Sequence, residues 1–435
     1  MTAIYALLTF LLVYGLIAVR RVGRFSIPVW IPMLIGALAM LATQTISIED
    51  AYRAVKMDVI IFLLGMFMMV AVLERVGIIQ HITVSILKRT RSMDRLLLFI
   101  LVVMGTLSAF LMNDTIALAA TPILLGMSRF GIDPKPLLIV LAFAVTIGSA
   151  MTPIGNPQNF LISVESGMKA PMLEFMKYLA LPTITNYIVT YYLLRWYYRN
   201  HLKGMSVDIN LDDDHAHHDP KSMIYEPRMA KISIFVVSAV VLGFFMVSIA
   251  RAVGLEPMLD MSHIAFVGGL LMLAYSRDRV AILKHMNWGI IVLFISMFVL
   301  MDALSKAGII AMIAGILSPL QLDSDASEPT SPSTILAIVS ISTFLSQFMS
   351  NVPFVAFYLN VMHEQGFSSD DIKAWITLAG ASTLAGNLTI LGAASNLIIL
   401  EAARKYGFTF LEFFKIGSLV TLANMLILVA FLLIM

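Results

Sequence analysis

Asp114 is the residue of this chain best placed to carry a charge through apolar surroundings. It stands in Met112-Asn-Asp-Thr115, and no other charged residue lies between Arg95 and Arg129. A carboxylate at such depth costs about 2.5–3.5 kcal/mol on the insertion scale, and residues of this kind mark ion and proton pathways. Burial favours the protonated form of a carboxyl group, which makes Asp114 the expected proton or cation carrier. The plainer reading is a helix cap, and a cap can also be the carrier. A second concentration of polar residues is Thr152-Pro-Ile-Gly-Asn-Pro-Gln-Asn159, echoed by Thr389-Ile-Leu-Gly-Ala-Ala-Ser-Asn396. Thr152 and Thr389, Gly155 and Gly392, and Asn159 and Asn396 pair at a constant offset of 237. Met349-Ser-Asn-Val352 echoes the stretch around Asp114, with Met112 and Met349 again 237 apart.

All four stretches interrupt apolar segments. A backbone break within a bilayer leaves N–H and C=O groups unpaired, so it is tolerated only inside protein or beside a wet cavity. Asn156-Pro157 reads as an N-cap followed by proline at the first helical position. A half-helix therefore restarts there, with its free N–H groups and partial positive end toward the cavity. Gly155 and Gly392 would allow the tight turn. The expected substrate- and ion-binding set is Asn113, Asp114, Thr115, Thr152, Gly155, Asn156, Asn159, Ser350, Asn351, Thr389, Gly392, Ser395 and Asn396. These residues supply amides, hydroxyls and one carboxylate, without a Lys or Arg. Such a set suits a small polar solute, neutral or cationic, whereas a doubly charged carboxylate would need co-bound cations to offset Asp114. No resident metal or cofactor is expected beyond a coupling ion, H+ or Na+.

The elements that position these residues are membrane spans. Of 435 residues, 59% are hydrophobic and only 13% charged, and the mean hydropathy is +0.90. No soluble fold hides that much apolar surface, so an all-α integral membrane protein is expected. A net charge of +2 gives no ground for a nucleic-acid partner. With no cysteine there is no disulfide or thiolate chemistry, and the 30 methionines read as lipid-facing or core filler. Arg20, Arg21 and Arg24 follow the first apolar run rather than precede it, which makes that run a retained first span.

Spans are expected at 3–19, 28–45 and 58–75, followed by an amphipathic stretch at 77–88. A hairpin at 96–128 comes next, then a broken helix at 136–164 and a span at 177–197. The second half repeats the order: 229–250, 262–276, 287–305, a short 308–319, a hairpin at 332–363, a broken helix at 373–403, and 413–434. Residues 1–197 and 229–435 thus form two repeats of about ten transmembrane helices in all. An odd number of crossings per half inverts the second repeat, with each hairpin re-entrant. With both termini outside, seven of the 29 Lys and Arg residues fall on the outer side and the other 22 inside, as the positive-inside rule requires. The linker 198–228 is then cytoplasmic. Its Asp212-Asp-Asp-His-Ala-His-His-Asp219 has no defined metal-ligand spacing and reads as a solvated segment. Asp302 and Lys306 are spaced as an i,i+4 ion pair. Neither His-Glu-x-x-His nor Gly-x-Ser-x-Gly is present, so an intramembrane hydrolase is not expected.

At these motifs the chain resembles the ion-transporter superfamily that includes arsenite permeases, NhaD-type sodium/proton antiporters, silicic-acid effluxers, and citrate and divalent-anion permeases. Asn113-Asp114 followed by Thr121-Pro-Ile123 resembles the Asn-Asp…Thr-Pro-Ile run of arsenite permeases, and Ser350-Asn-Val-Pro353 resembles their Asn-Asn-Met-Pro tip. Thr152-Pro-Ile-Gly-Asn-Pro-Gln-Asn159 resembles the wider arsenite, NhaD and silicic-acid grouping. Sodium/dicarboxylate symporters carry Ser-Asn-Thr at both tips, and Val352 in place of that threonine argues against their role here. The resemblance implies hairpin tips that meet broken helices at the midplane of a plasma membrane, and alternating access of the elevator type. As partners it implies a homodimer and, as in some arsenite pumps, a soluble ATPase subunit. It implies a proton-coupled antiporter that exports arsenite, antimonite or a related small oxyacid or anion. A sodium/proton antiporter is the second expectation, and a di- or tricarboxylate or other anion permease the third.

Overall fold

The structure is a computed structural model that describes residues 2–19, 21–22, 25–90, 92–199, 224–317, 331–403 and 409–435. The Asp212–Asp219 stretch lies outside the described residues. The fold is helical apart from a two-residue strand pair, Arg21–Val22 with Phe25–Ser26. Among the described residues, seven helices are long and apolar enough to cross a membrane, including Thr2–Val19, Met57–Val76, Trp288–Lys306 and Phe410–Ile434. In lipid the backbone must satisfy its own hydrogen bonds, and helices of this length do so within one segment.

The helices form two packing groups. In the first, Met57–Val76 lies along Met261–Tyr275, and Trp288–Lys306 lies along Trp30–Ala42. Gly65 allows the first of these contacts, because a Cβ there would strike the backbone of Ala265. Small residues at such a crossing let two spans approach closely. The second group holds both hairpins, both broken helices, and the long helices Pro171–Tyr197 and Phe410–Ile434.

The first hairpin descends through Met93–Phe99, a π-helical stretch Ile100–Met104 and Gly105–Leu111, then returns as Asn113–Gly126. The second descends through Pro332–Met349 and returns as Asn351–Glu364. Met112 turns the first at φ 67°, ψ 130°, and Ser350 turns the second at φ 65°, ψ 151°. Positive φ is uncommon outside glycine, so the shared geometry fixes the correspondence. Ser350, not Met349, is the counterpart of Met112, and the offset at the tips is 238 rather than 237. The backbone turn defines the tip, and the shared methionine is a coincidence of side chains.

The broken helices follow the sequence closely. Pro134–Ser149 stops, and the chain restarts at Pro157–Glu165. Ile372–Leu384 runs into a 3-10 turn at Ala385–Asn387 and restarts at Ala394–Ala403. Asp302 and Lys306 form the expected pair at 3.1 Å.

Candidate functional site

Asn156 caps its half-helix as expected: its Oδ1 accepts the N–H of Asn159 at 2.8 Å, and proline follows at the first position. Its Nδ2 donates to Ser149 O (3.3 Å), Ser149 Oγ (3.2 Å) and Thr383 Oγ1 (3.2 Å). Asn159 bridges the gap in the helix, donating from Nδ2 to Ser149 O and Thr152 O, both at 3.1 Å. Asn396 repeats this at offset 237, donating to Gly386 O (2.7 Å) and Thr389 O (3.4 Å). The two breaks are therefore held by the same device: an asparagine one turn into the second half-helix satisfies carbonyls stranded by the first. Gly155 and Gly392 serve through space rather than through an unusual φ. A Cβ on Gly155 would strike backbone atoms of Ser149, and one on Gly392 would lie 2.9 Å from Gly386 Cα.

Each hairpin tip docks on a break. Asn113 N–H donates to Gly155 O at 2.9 Å, and Thr152 Oγ1 donates to Ala109 O. The carboxylate of Asp114 faces the backbone N–H of Ser395 in the other repeat. In the second hairpin Gln347 does the docking, donating to Ala385 O at 2.9 Å and accepting from Thr389 Oγ1 at 2.8 Å.

Between the tips lies a cavity of about 580 Å³. Asn113 and Asp114, Pro157 and Gln158, Asn351 and Val352, and Ala393 and Ala394 line it. These residues sit at the starts of four helices, so four helix N-termini and their partial positive charge meet at one space. Apolar residues such as Trp30, Leu293 and Leu397 complete the wall, and Asp114 is the only charged residue in the lining among the described residues. The geometry offers a half-buried carboxylate beside a field that favours negative charge.

Of the thirteen expected residues, Asn113, Asp114, Ser350 and Asn351 line the cavity. Thr152, Gly155, Asn156, Asn159, Thr389, Gly392 and Asn396 build the breaks behind it, and Ser395 contributes its backbone to Asp114. Thr115 is buried in the first turn after the tip. The two breaks also differ in the polar groups at the restart. Ala393 stands where the first break has Asn156, and the buried oxygens of Asn351 (Oδ1), Ser395 (Oγ) and Asn396 (Oδ1) have no protein partner among the described residues.

Gln347, Thr383 and a buried amide chain were not anticipated from the sequence. Asn424 donates from Nδ2 to Asn186 Oδ1 (3.1 Å) and Thr190 Oγ1 (3.2 Å), and accepts from Asn387 Nδ2 at 3.3 Å. Thr183-x-x-Asn186 and Thr421-x-x-Asn424 recur at offset 238, a signal that would have found the pair.

The sequence profile of the citrate transporter family, CitMHS, matches residues 14–379. The chain belongs to this family. Its relatives within the wider superfamily include a 46 kDa membrane protein of Mycobacterium leprae, 27% identical over 97% of this chain and 96% of that one. The silicon efflux transporter LSI3 of Oryza sativa subsp. japonica is 25% identical over 86% of this chain and 84% of its own. The P protein of Mus musculus is 26% identical over 92% of this chain, which spans 57% of that protein. The crystal structure of the Alcanivorax borkumensis YdaH transporter shares the fold, with a TM-score of 0.57 at 14% identity and coverage of 99% and 97%. This member of the CitMHS family is thus a multi-pass membrane transporter.

Proposed function

We propose that this transporter exports a small oxyacid or its anion in exchange for protons, with arsenite or antimonite as the first substrates to try. One observation carries the reading: among the described residues, Asp114 is the sole charged one in a cavity where four helix N-termini meet. An ionised Asp114 accepts hydrogen bonds from the hydroxyls of an oxyacid, while the helix N-termini receive its oxygens. A protonated Asp114 loses that acceptor capacity. Proton and solute therefore compete, and alternating exposure of the cavity turns competition into exchange. With the N-terminus outside, Val19, Pro28–Trp30, Asn287 and Phe410 line the cytoplasmic end of the cavity, and on this reading the conformation is inward-open.

The partnerless oxygens of Asn351, Ser395 and Asn396 favour a second reading, a sodium/proton antiporter, because hard cations take oxygen ligands. A tricarboxylate would bring several negative charges to Asp114 without a basic residue among the described residues of the cavity lining to receive them. Uptake of arsenite, silicic acid and citrate into inside-out vesicles under an imposed pH gradient separates these readings. Gradient-driven arsenite or silicic-acid uptake that Asp114→Asn abolishes supports the proposal. Sodium-dependent collapse of the gradient without solute movement supports the second reading. Citrate uptake that survives Asp114→Asn contradicts both.

A further inference from the structure

The half-helix Pro157–Glu165 connects two sites. Its first residues line the central cavity, and its last, Glu165, lines a separate pocket of about 270 Å³ with Asp50, Arg53, Lys56, Asp302 and Lys306. Nine residues of helix make a rod of about 13 Å, short enough to move as one piece. Glu165 lies 3.4 Å from Lys56 Nζ. The other basic residues of the pocket have acids of their own: Arg53 pairs with Glu49 at 2.6 Å, and Lys306 with Asp50 at 3.0 Å and Asp302 at 3.1 Å. Those three pairs lie within the first packing group. Among the ion pairs of the described residues, Lys56–Glu165 is the one that joins the two groups. One turn earlier on the same half-helix, Phe160 stacks on Phe62 of the first group, with centroids 3.4 Å apart and planes 7° from parallel.

We infer that Lys56 and Glu165 form a latch on the side opposite the cavity mouth, holding shut the face from which the cavity is excluded. Glu165 is fixed to the rod that carries Pro157 and Gln158, so release of the latch and displacement of that cavity wall are one motion. The inference rests on the alternating-access reading above. The Lys56 side chain is 50% exposed and that of Glu165 21%, so water screens the pair and it biases rather than locks. Exposed pairs of this kind shift an equilibrium by about two- to fivefold.

The chain has no cysteine, so Leu397→Cys places a single thiol in the cavity wall. Its labelling rate with a membrane-impermeant maleimide is measured in inside-out and right-side-out vesicles. With the latch intact, labelling is faster from the face on which the cavity opens. Lys56→Gln and Glu165→Gln should each lower that rate relative to the opposite face by about two- to fivefold. The exchanged pair Lys56→Glu/Glu165→Lys should restore it, a recovery that a merely misfolded variant does not give. Unchanged ratios in the single variants, with both faces still labelled, overturn the latch and leave alternating access standing. Labelling from one face only in every variant overturns both.

Discussion

The carboxylate of Asp114, at the tip of the first hairpin, faces the backbone N–H of Ser395 at the start of the half-helix in the second broken helix. The proposed proton carrier belongs to one repeat, and the helix end that faces it belongs to the other. A proton on Asp114 removes the negative charge facing that helix end and so weakens a contact between repeats. Occupancy at one residue is thereby linked to the fit of two halves.

Replacement of Gly155 by alanine should damage the fold more than replacement of Gly392. A Cβ at 155 first meets backbone of Ser149, with Cα at 2.7 Å, whereas at 392 it meets Gly386 Cα at 2.9 Å and O at 3.0 Å and the end of the Gln347 side chain at 3.1 Å. Overpacking costs about 1–3 kcal/mol where neighbours can yield, and more where they are backbone. Thermal unfolding in detergent should show a larger drop for Gly155→Ala. Equal drops would mean that the first break relaxes as readily as the second.

Asn159→Ala and Asn396→Ala each remove two hydrogen bonds to buried carbonyls. Ser149 O keeps Asn156, and Thr152 O and Thr389 O keep the N–H groups of Gly155 and Gly392, so the cost is about 0.5–1.5 kcal/mol for each bond lost. Asn159 also accepts from Thr383 at 3.1 Å, so its loss should be the more costly. Thermal unfolding again reads the order, and Thr383→Val should recover none of it. A variant of Asn159 as stable as the parent chain would show that water replaces the amide.

Much of this was legible in the sequence because the breaks are polar residues in apolar segments. Asn156-Pro157 announced its cap, the paired threonines and asparagines announced the repeat, and Asp302 with Lys306 announced an ion pair. The tip at Ser350 was misaligned by one residue because identity at Met349 outweighed a backbone angle that sequence does not display. Gln347, Thr383 and Asn424 were missed for another reason. They sit inside unbroken helices, where a lone polar residue looks like any other, and only the packing of other helices shows what each one touches.

Asn424→Leu should destabilise the protein by about 1–3 kcal/mol for each of Asn186 and Asn387 left unpaired. Asn186→Leu should cost less, because Asn424 keeps Thr190 and Asn387. The double variant should cost less than the sum, since partners in one network are not additive. Additive losses would show that the two amides act separately.

The most direct test of the central claim is proton release on substrate binding by the purified transporter in weakly buffered detergent solution. Arsenite or silicic acid added near neutral pH should release protons from the parent chain, because solute and proton compete for Asp114. Asp114→Asn should release none. Binding without proton release, or release that persists in Asp114→Asn, would contradict the account.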